Sequence, residues 1–124
     1  MDDELIPEDV RDFIIRHIDA VAQLEALLLL RGNPGNDWTA AATARRLYIS
    51  EQDASEVLER LCDDGLLTCA EGCFRYDANA QTIAIVDRMA QVYSRHLIAV
   101  SNMIHAKPRR IRQFADAFKF KKDR

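Results

Sequence analysis

Apolar positions recur along the chain at helical spacing, and only one short region reads as strand. Val10, Phe13, Ile14 and Ile18 form one stripe. Pro7 suits a first helical position, and Glu8, Asp9 and Asp12 suit the positive end of the helix dipole, so a short helix is predicted over about 7–17. Asp19 is placed to cap a second helix, Ala20 to Arg31. Val21, Leu24, Leu27, Leu28 and Leu30 make that helix apolar on more than one face, so it is expected to be central and buried. The loop GNPGND follows at 32–37, with Gly32 as a helix terminator and Pro34 blocking continuation.

Thr39 can cap a short helix holding Ala44 and Leu47, Tyr48-Ile49 form a turn, and Ser50 is a strong cap for the next helix. Ala54, Val57, Leu58 and Leu61 share one face of that helix, and Gly65 stops it. Leu66-Leu67-Thr68-Cys69 and Cys73-Phe74-Arg75-Tyr76 read as strands joined by Ala70-Glu71-Gly72 in a tight hairpin.

From about Asn79 to His105 no helix breaker occurs. Val86, Ala90, Tyr93, Leu97, Val100 and Ile104 repeat with a 4-3-4-3-4 spacing, beside a parallel stripe of Ile85, Met89, Val92, His96, Ala99 and Met103. A repeat near 3.5 residues suggests one long helix packing along another. Two adjacent stripes are wider than one contact within a domain needs. Val86, Tyr93, Leu97, Val100 and Ile104 are therefore candidates for a homodimer seam; the alternative is that both stripes lie in one monomer's core. After Pro108, Ile111, Phe114, Ala115 and Phe118 align as the apolar face of a last amphipathic helix.

The length of 124 residues suggests one domain, and 48% hydrophobic with 30% charged residues is ordinary for a globular protein. The acidic start MDDELIPED does not fit a secretory signal, and the run Leu27–Leu30 is too short to span a bilayer, so a cytoplasmic protein with no integral membrane segment is expected. Net charge is −3, unevenly spread: residues 1–105 carry 9 basic and 18 acidic side chains, residues 106–124 carry 8 and 2. An acidic body with a basic tail is the main electrostatic feature.

Helix, loop, short helix, turn, capped helix and hairpin follow the order of a winged helix-turn-helix. TAAATARRLYISEQDASEVLERLCDDGLLTCAEGCFRY, residues 39–76, resembles the core of bacterial winged-helix regulators of the broad MarR-like kind. Ala44 and Leu47 in the first helix, the turn ending at Ser50, Val57, Leu61 and the Gly65-Leu66-Leu67 exit carry the likeness. With the preceding helix it covers about 60 of 124 residues. The rest of the chain resembles small uncharacterised bacterial proteins with a FADAF-type tail. The fold class expected is mainly α with a small two-stranded β-hairpin: an N-terminal helix at 1–18, a winged-helix domain at 19–78, a long self-association helix at 79–106 and a basic amphipathic tail at 107–124.

The resemblance implies transcription regulation, with the second helix in the major groove and the wing on the backbone. The groove-facing positions would be Glu51, Gln52, Ser55, Glu56, Glu59 and Arg60. Their charge argues against that use. Between Ser50 and Asp64 there are six acids and one base, Arg60, whereas duplex DNA is a dense line of phosphates. A glutamate can accept from cytosine only if neighbouring bases hold the helix down. The wing adds only Arg75, and Arg45 and Arg46 on the preceding helix either touch phosphates or balance the acids beside them. The acidic helix is then a solvated face or a protein-docking surface.

Lys107, Arg109, Arg110, Arg112, Lys119, Lys121, Lys122 and Arg124 make the tail the stronger candidate for a charged partner. It can follow nucleic-acid phosphates, lie on an anionic membrane, dock on a partner through Phe114 and Phe118, or fold back on its own acidic body. Cys62, Cys69 and Cys73 are spaced C-x6-C-x3-C without a nearby histidine, which suits small buried residues better than a redox sensor or zinc. His96 and His105 lie roughly 13–14 Å apart by helical rise, too far for one metal, and His17 is isolated. No phosphate loop, nucleophile elbow or acid/base cluster is present. A non-enzyme without cofactor is expected. The resemblance puts a DNA-binding homodimeric transcription regulator first; the local charge favours a protein-interaction module that no longer binds DNA, with Glu51, Glu56 and Glu59 meeting a basic partner.

Overall fold

The computed structural model describes residues 5–106. The chain is mainly helical with one antiparallel hairpin, in the order α1 Glu8–His17, α2 Val21–Arg31, α3 Ala40–Leu47, α4 Glu51–Asp63, β1 Leu67–Ala70, β2 Cys73–Tyr76, α5 Ala80–Arg95 and α6 at 97–106. The helix-rich fold with a small hairpin is as expected.

α2 is the hub. Leu24, Ala26, Leu27 and Leu30 are fully buried, and the helix packs against α3, α4 and β2. The residue before its cap corrects one expectation. Ala20, not Asp19, is the N-cap. Gln23 instead organises the α1–α2 turn: its Nε2 donates to the His17 carbonyl at 2.7 Å and its Oε1 accepts from the Asp19 amide at 2.8 Å. The Asp19 carboxylate reaches across to Arg60 of α4, with Oδ2 at 2.7 Å from Nη2. Gly32 ends α2 in a right-handed conformation, and the left-handed residue of the loop is Gly35.

The predicted caps of the next two helices are present. Thr39 Oγ1 accepts from the Ala42 amide at 3.1 Å and Ser50 Oγ from the Asp53 amide at 3.0 Å. In the hairpin Leu67 faces Tyr76 and Cys69 faces Phe74, and the link is the two residues Glu71-Gly72. Both have positive φ, 55° and 79°, which gives the backbone twist that a two-residue hairpin turn requires. Trp38 adds a further ladder position that the sequence did not reveal. Its amide donates to the Phe74 carbonyl at 2.8 Å and its carbonyl accepts from the Phe74 amide at 2.7 Å.

The segment expected as one helix over 79–106 is two. His96 leaves helical geometry (φ −133°, ψ 53°) and separates α5 from α6. Neither glycine nor proline marks the break. Two residues earlier the Ser94 hydroxyl donates to the Gln91 carbonyl at 3.0 Å, competing with the backbone for that acceptor. The break changes which residues face inward. Val86, Met89 and Tyr93 are buried on α5, and Ala99, Val100 and Ile104 on α6, while Leu97 is 53% exposed. One continuous core runs from Ile6 on the N-terminal side to Ile104 on α6. Among the described residues no helix is long and apolar enough to cross a membrane.

Candidate interaction surface

α3, the turn and α4 form the most distinctive surface. Ala54, Leu58 and Leu61 bury one face of α4, which packs on α2 and α3. That periodicity leaves Glu51, Gln52, Asp53, Glu56, Glu59, Arg60 and Asp63 exposed. The Ser55 hydroxyl donates to Glu59 Oε2 at 3.0 Å, which orients that carboxylate along the helix.

Tyr48, between α3 and α4, is more than the turn residue that the sequence suggests. It is 95% exposed, and its backbone is left-handed at φ 59°, ψ 43°. A β-carbon is disfavoured there, and glycine or asparagine is the usual occupant of such a helix end. The signal was in the sequence: an aromatic stands at a turn where a small residue is expected. The turn is fixed by the Ile49 amide donating to the Ala44 carbonyl at 3.1 Å.

The four candidate arginines Arg45, Arg46, Arg60 and Arg75 differ in their surroundings. Arg60 pairs with Asp19, and Arg75 Nε lies 3.0 Å from Asp37 Oδ1. Arg46 sits over the Trp38 ring, its Cζ 5.6 Å from the centroid. Arg45 is exposed on α3 beside it. The only base on the exposed face of α4 is thus turned toward its own chain. Asp19 and Asp37, which hold the two arginines, lie far from them in sequence.

Of the residues proposed for a dimer seam, Val86, Tyr93, Val100 and Ile104 are buried in the chain's own core. Leu97 remains exposed beside Ile98, which is 72% exposed. The break at His96 is the reason: it rotates Leu97 away from the line of Tyr93 and Val100. Arg109, Arg110, Arg112, Lys119, Lys121 and Lys122, with Phe114 and Phe118, lie outside the described residues.

Two other polar features flank the core. Tyr93 Oη donates to Glu25 Oε2 at 2.5 Å, and burial together with that carboxylate pushes the phenol up to about 12. A groove between the α2 end and α5 is lined by Arg31, Pro34, Tyr76, Ala78, Ile83 and Asp87. There Arg31 Nε donates to Asp87 Oδ1 at 2.8 Å, and burial raises the Tyr76 phenol. Among the described residues, no three His, Cys, Asp or Glu side chains are placed to hold a metal ion. His17 Nδ1 lies 3.3 Å from Asp64 Oδ2, joining the end of α1 to the end of α4.

Compared with protein-family models, with curated proteins and with solved structures, the chain matches none of them.

Proposed function

We propose that this chain is a non-enzymatic regulatory module of the winged-helix kind whose α4 face docks a basic protein partner. The observation that carries the reading is the pairing of Arg60 with Asp19. It leaves the exposed face of α4 to Glu51, Asp53, Glu56, Glu59 and Asp63, at the position where a DNA reader presents bases. Tyr48 stands just before this helix as an exposed aromatic of the sort that anchors interfaces and stacks on arginine. Carboxylates around an exposed aromatic suit a lysine- and arginine-rich segment, and such charge matching sets partner choice and association rate.

The test uses the full chain and a variant with Glu51→Lys, Glu56→Lys and Glu59→Lys. A labelled arginine- and lysine-rich peptide is titrated against each at low and physiological salt, and random duplex DNA is run in parallel by gel shift. The expected result is salt-sensitive peptide binding by the natural chain, at least tenfold weaker in the variant. Equal peptide affinity of the two would reject the reading.

A second reading is kept by Arg45 and Arg46, adjacent and exposed on α3, and by the eight bases of residues 107–124. In it the chain contacts DNA as a homodimeric transcription regulator, with these arginines and the tail on phosphates. Duplex binding that falls steeply with salt and disappears in a chain ending at Ala106 would favour this reading over the first.

A further inference from the structure

We propose that Cys62 and Cys69 form an oxidative modification site, closing into an intramolecular disulfide when the chain meets a peroxide. The placement follows from the hairpin register. Cys69 pairs with Phe74 and Leu67 with Tyr76, and directly opposed residues share a face of the ladder. Leu67 and Phe74 are buried, so that face is the one turned to the core and to the end of α4. Cys73 pairs with Ala70 and therefore belongs to the opposite face. Cys62 lies in the last turn of α4, half-buried, and the exit is held by the Gly65 amide on the Cys62 carbonyl at 3.0 Å and the Leu66 amide on the Leu61 carbonyl at 3.0 Å. The two thiols consequently lie near each other, close enough that Cys69 helps to keep the Cys62 thiol protonated.

Their environments divide the roles. Burial first, then the neighbouring Cys69, push the Cys62 thiol up to about 12, so it stays protonated and unreactive alone. Cys69 is exposed and meets the oxidant. Its thiolate attacks one peroxide oxygen, the O–O bond breaks, and the departing hydroxide takes a proton to leave as water. Cys69 sulfur is oxidised by two electrons to a sulfenic acid and the peroxide is reduced. The Cys62 sulfur then attacks Cys69 sulfur. The S–S bond forms, the S–O bond breaks, and the Cys62 proton leaves with the hydroxyl as a second water. The product ties the end of α4 to β1. This inference is independent of the docking reading.

The experiment treats the reduced full-length chain with one equivalent of hydrogen peroxide, blocks free thiols with N-ethylmaleimide, and digests with an Asp/Glu-specific protease. Asp63, Asp64 and Glu71 supply cuts between all three cysteines. The expected result is a Cys62–Cys69 cross-linked peptide, one blocked thiol at Cys73, and full reversal by dithiothreitol. Cys62→Ser, checked for fold by circular dichroism, should instead leave a Cys69 sulfenic acid that dimedone traps. A Cys69–Cys73 link, an intermolecular link, or three blocked thiols after treatment would each overturn the proposal.

Discussion

Tyr93 on α5 and Glu25 on α2 are joined across the core by a 2.5 Å hydrogen bond from phenol to carboxylate. The pair ties the C-terminal helices to the hub helix, beside the Arg31–Asp87 contact between the same two elements. Tyr93 is nearly buried while Glu25 is half-buried, so the bond is shielded but the acid keeps some water. Tyr93→Phe removes the donor and keeps the ring. It should cost about 1–2 kcal/mol, read as a lower urea midpoint with an unchanged slope.

The same pair gives a pH signature. The folded phenol is held up to about 12, above the ordinary tyrosine value of about 10, so the folded chain holds this proton more tightly than the unfolded one. The resulting stabilisation is complete below about pH 10 and is lost as pH rises through about 12. The stability gap between the natural chain and Tyr93→Phe should be flat up to about pH 10 and then narrow, measured by urea unfolding at successive pH values. Tyr76, raised by burial and by Asp87, is common to both proteins and cancels in the difference.

Tyr48 holds a left-handed backbone with its ring in solvent, so the fold pays strain for a side chain that supports nothing among the described residues. Tyr48→Gly should raise stability by about 0.5–1 kcal/mol, because relief of the β-carbon clash exceeds the added freedom of the unfolded chain. Tyr48→Ala keeps the clash and should gain nothing. Thermal midpoints of the two variants side by side decide the point.

Ser50 secures the start of the acidic helix. Its hydroxyl accepts from the Asp53 amide, and Glu51 and Asp53 add charge favourable to that end. Ser50→Ala should cost about 1 kcal/mol, and Ser50→Asp should restore most of it. Chemical denaturation of the two variants checks both.

Local chemistry explains which features were legible in the sequence. Thr39 and Ser50 act on amides three residues away, so residue type alone declared them; the hairpin was declared too, with its link at Ala70-Glu71-Gly72, one residue wider than the Glu71-Gly72 turn that forms. The hub role of α2 was equally plain, because leucines on several faces must be covered from several sides. What stayed hidden depends on distant partners. Asp19 looked like a cap until Arg60 was brought to it, and nothing local to Trp38 pointed to its pairing with Phe74. The break at His96 carries no glycine or proline, and its one local clue is a serine that competes for a backbone carbonyl. The candidate surface was half legible: the acids of α4 were read correctly as exposed, while the occupation of Arg60 and Arg75 by acids was not.

The break at His96 also decides what Leu97 does. A straight helix would bury Leu97 in line with Tyr93, Val100 and Ile104, and the 4-3-4-3 spacing reads that way. In the fold Val100 and Ile104 are fully buried and Leu97 is not. Ile104→Ala should therefore cost about 2–4 kcal/mol through the cavity it leaves, whereas Leu97→Ser should stay within about 0.5 kcal/mol at low protein concentration. The two variants are compared by urea unfolding at several protein concentrations. A penalty for Leu97→Ser that grows with concentration would mean that Leu97 and Ile98 meet a second copy, because mass action makes a dimer's stability depend on how much protein is present. A large penalty at every concentration would mean that the helix runs straight through His96.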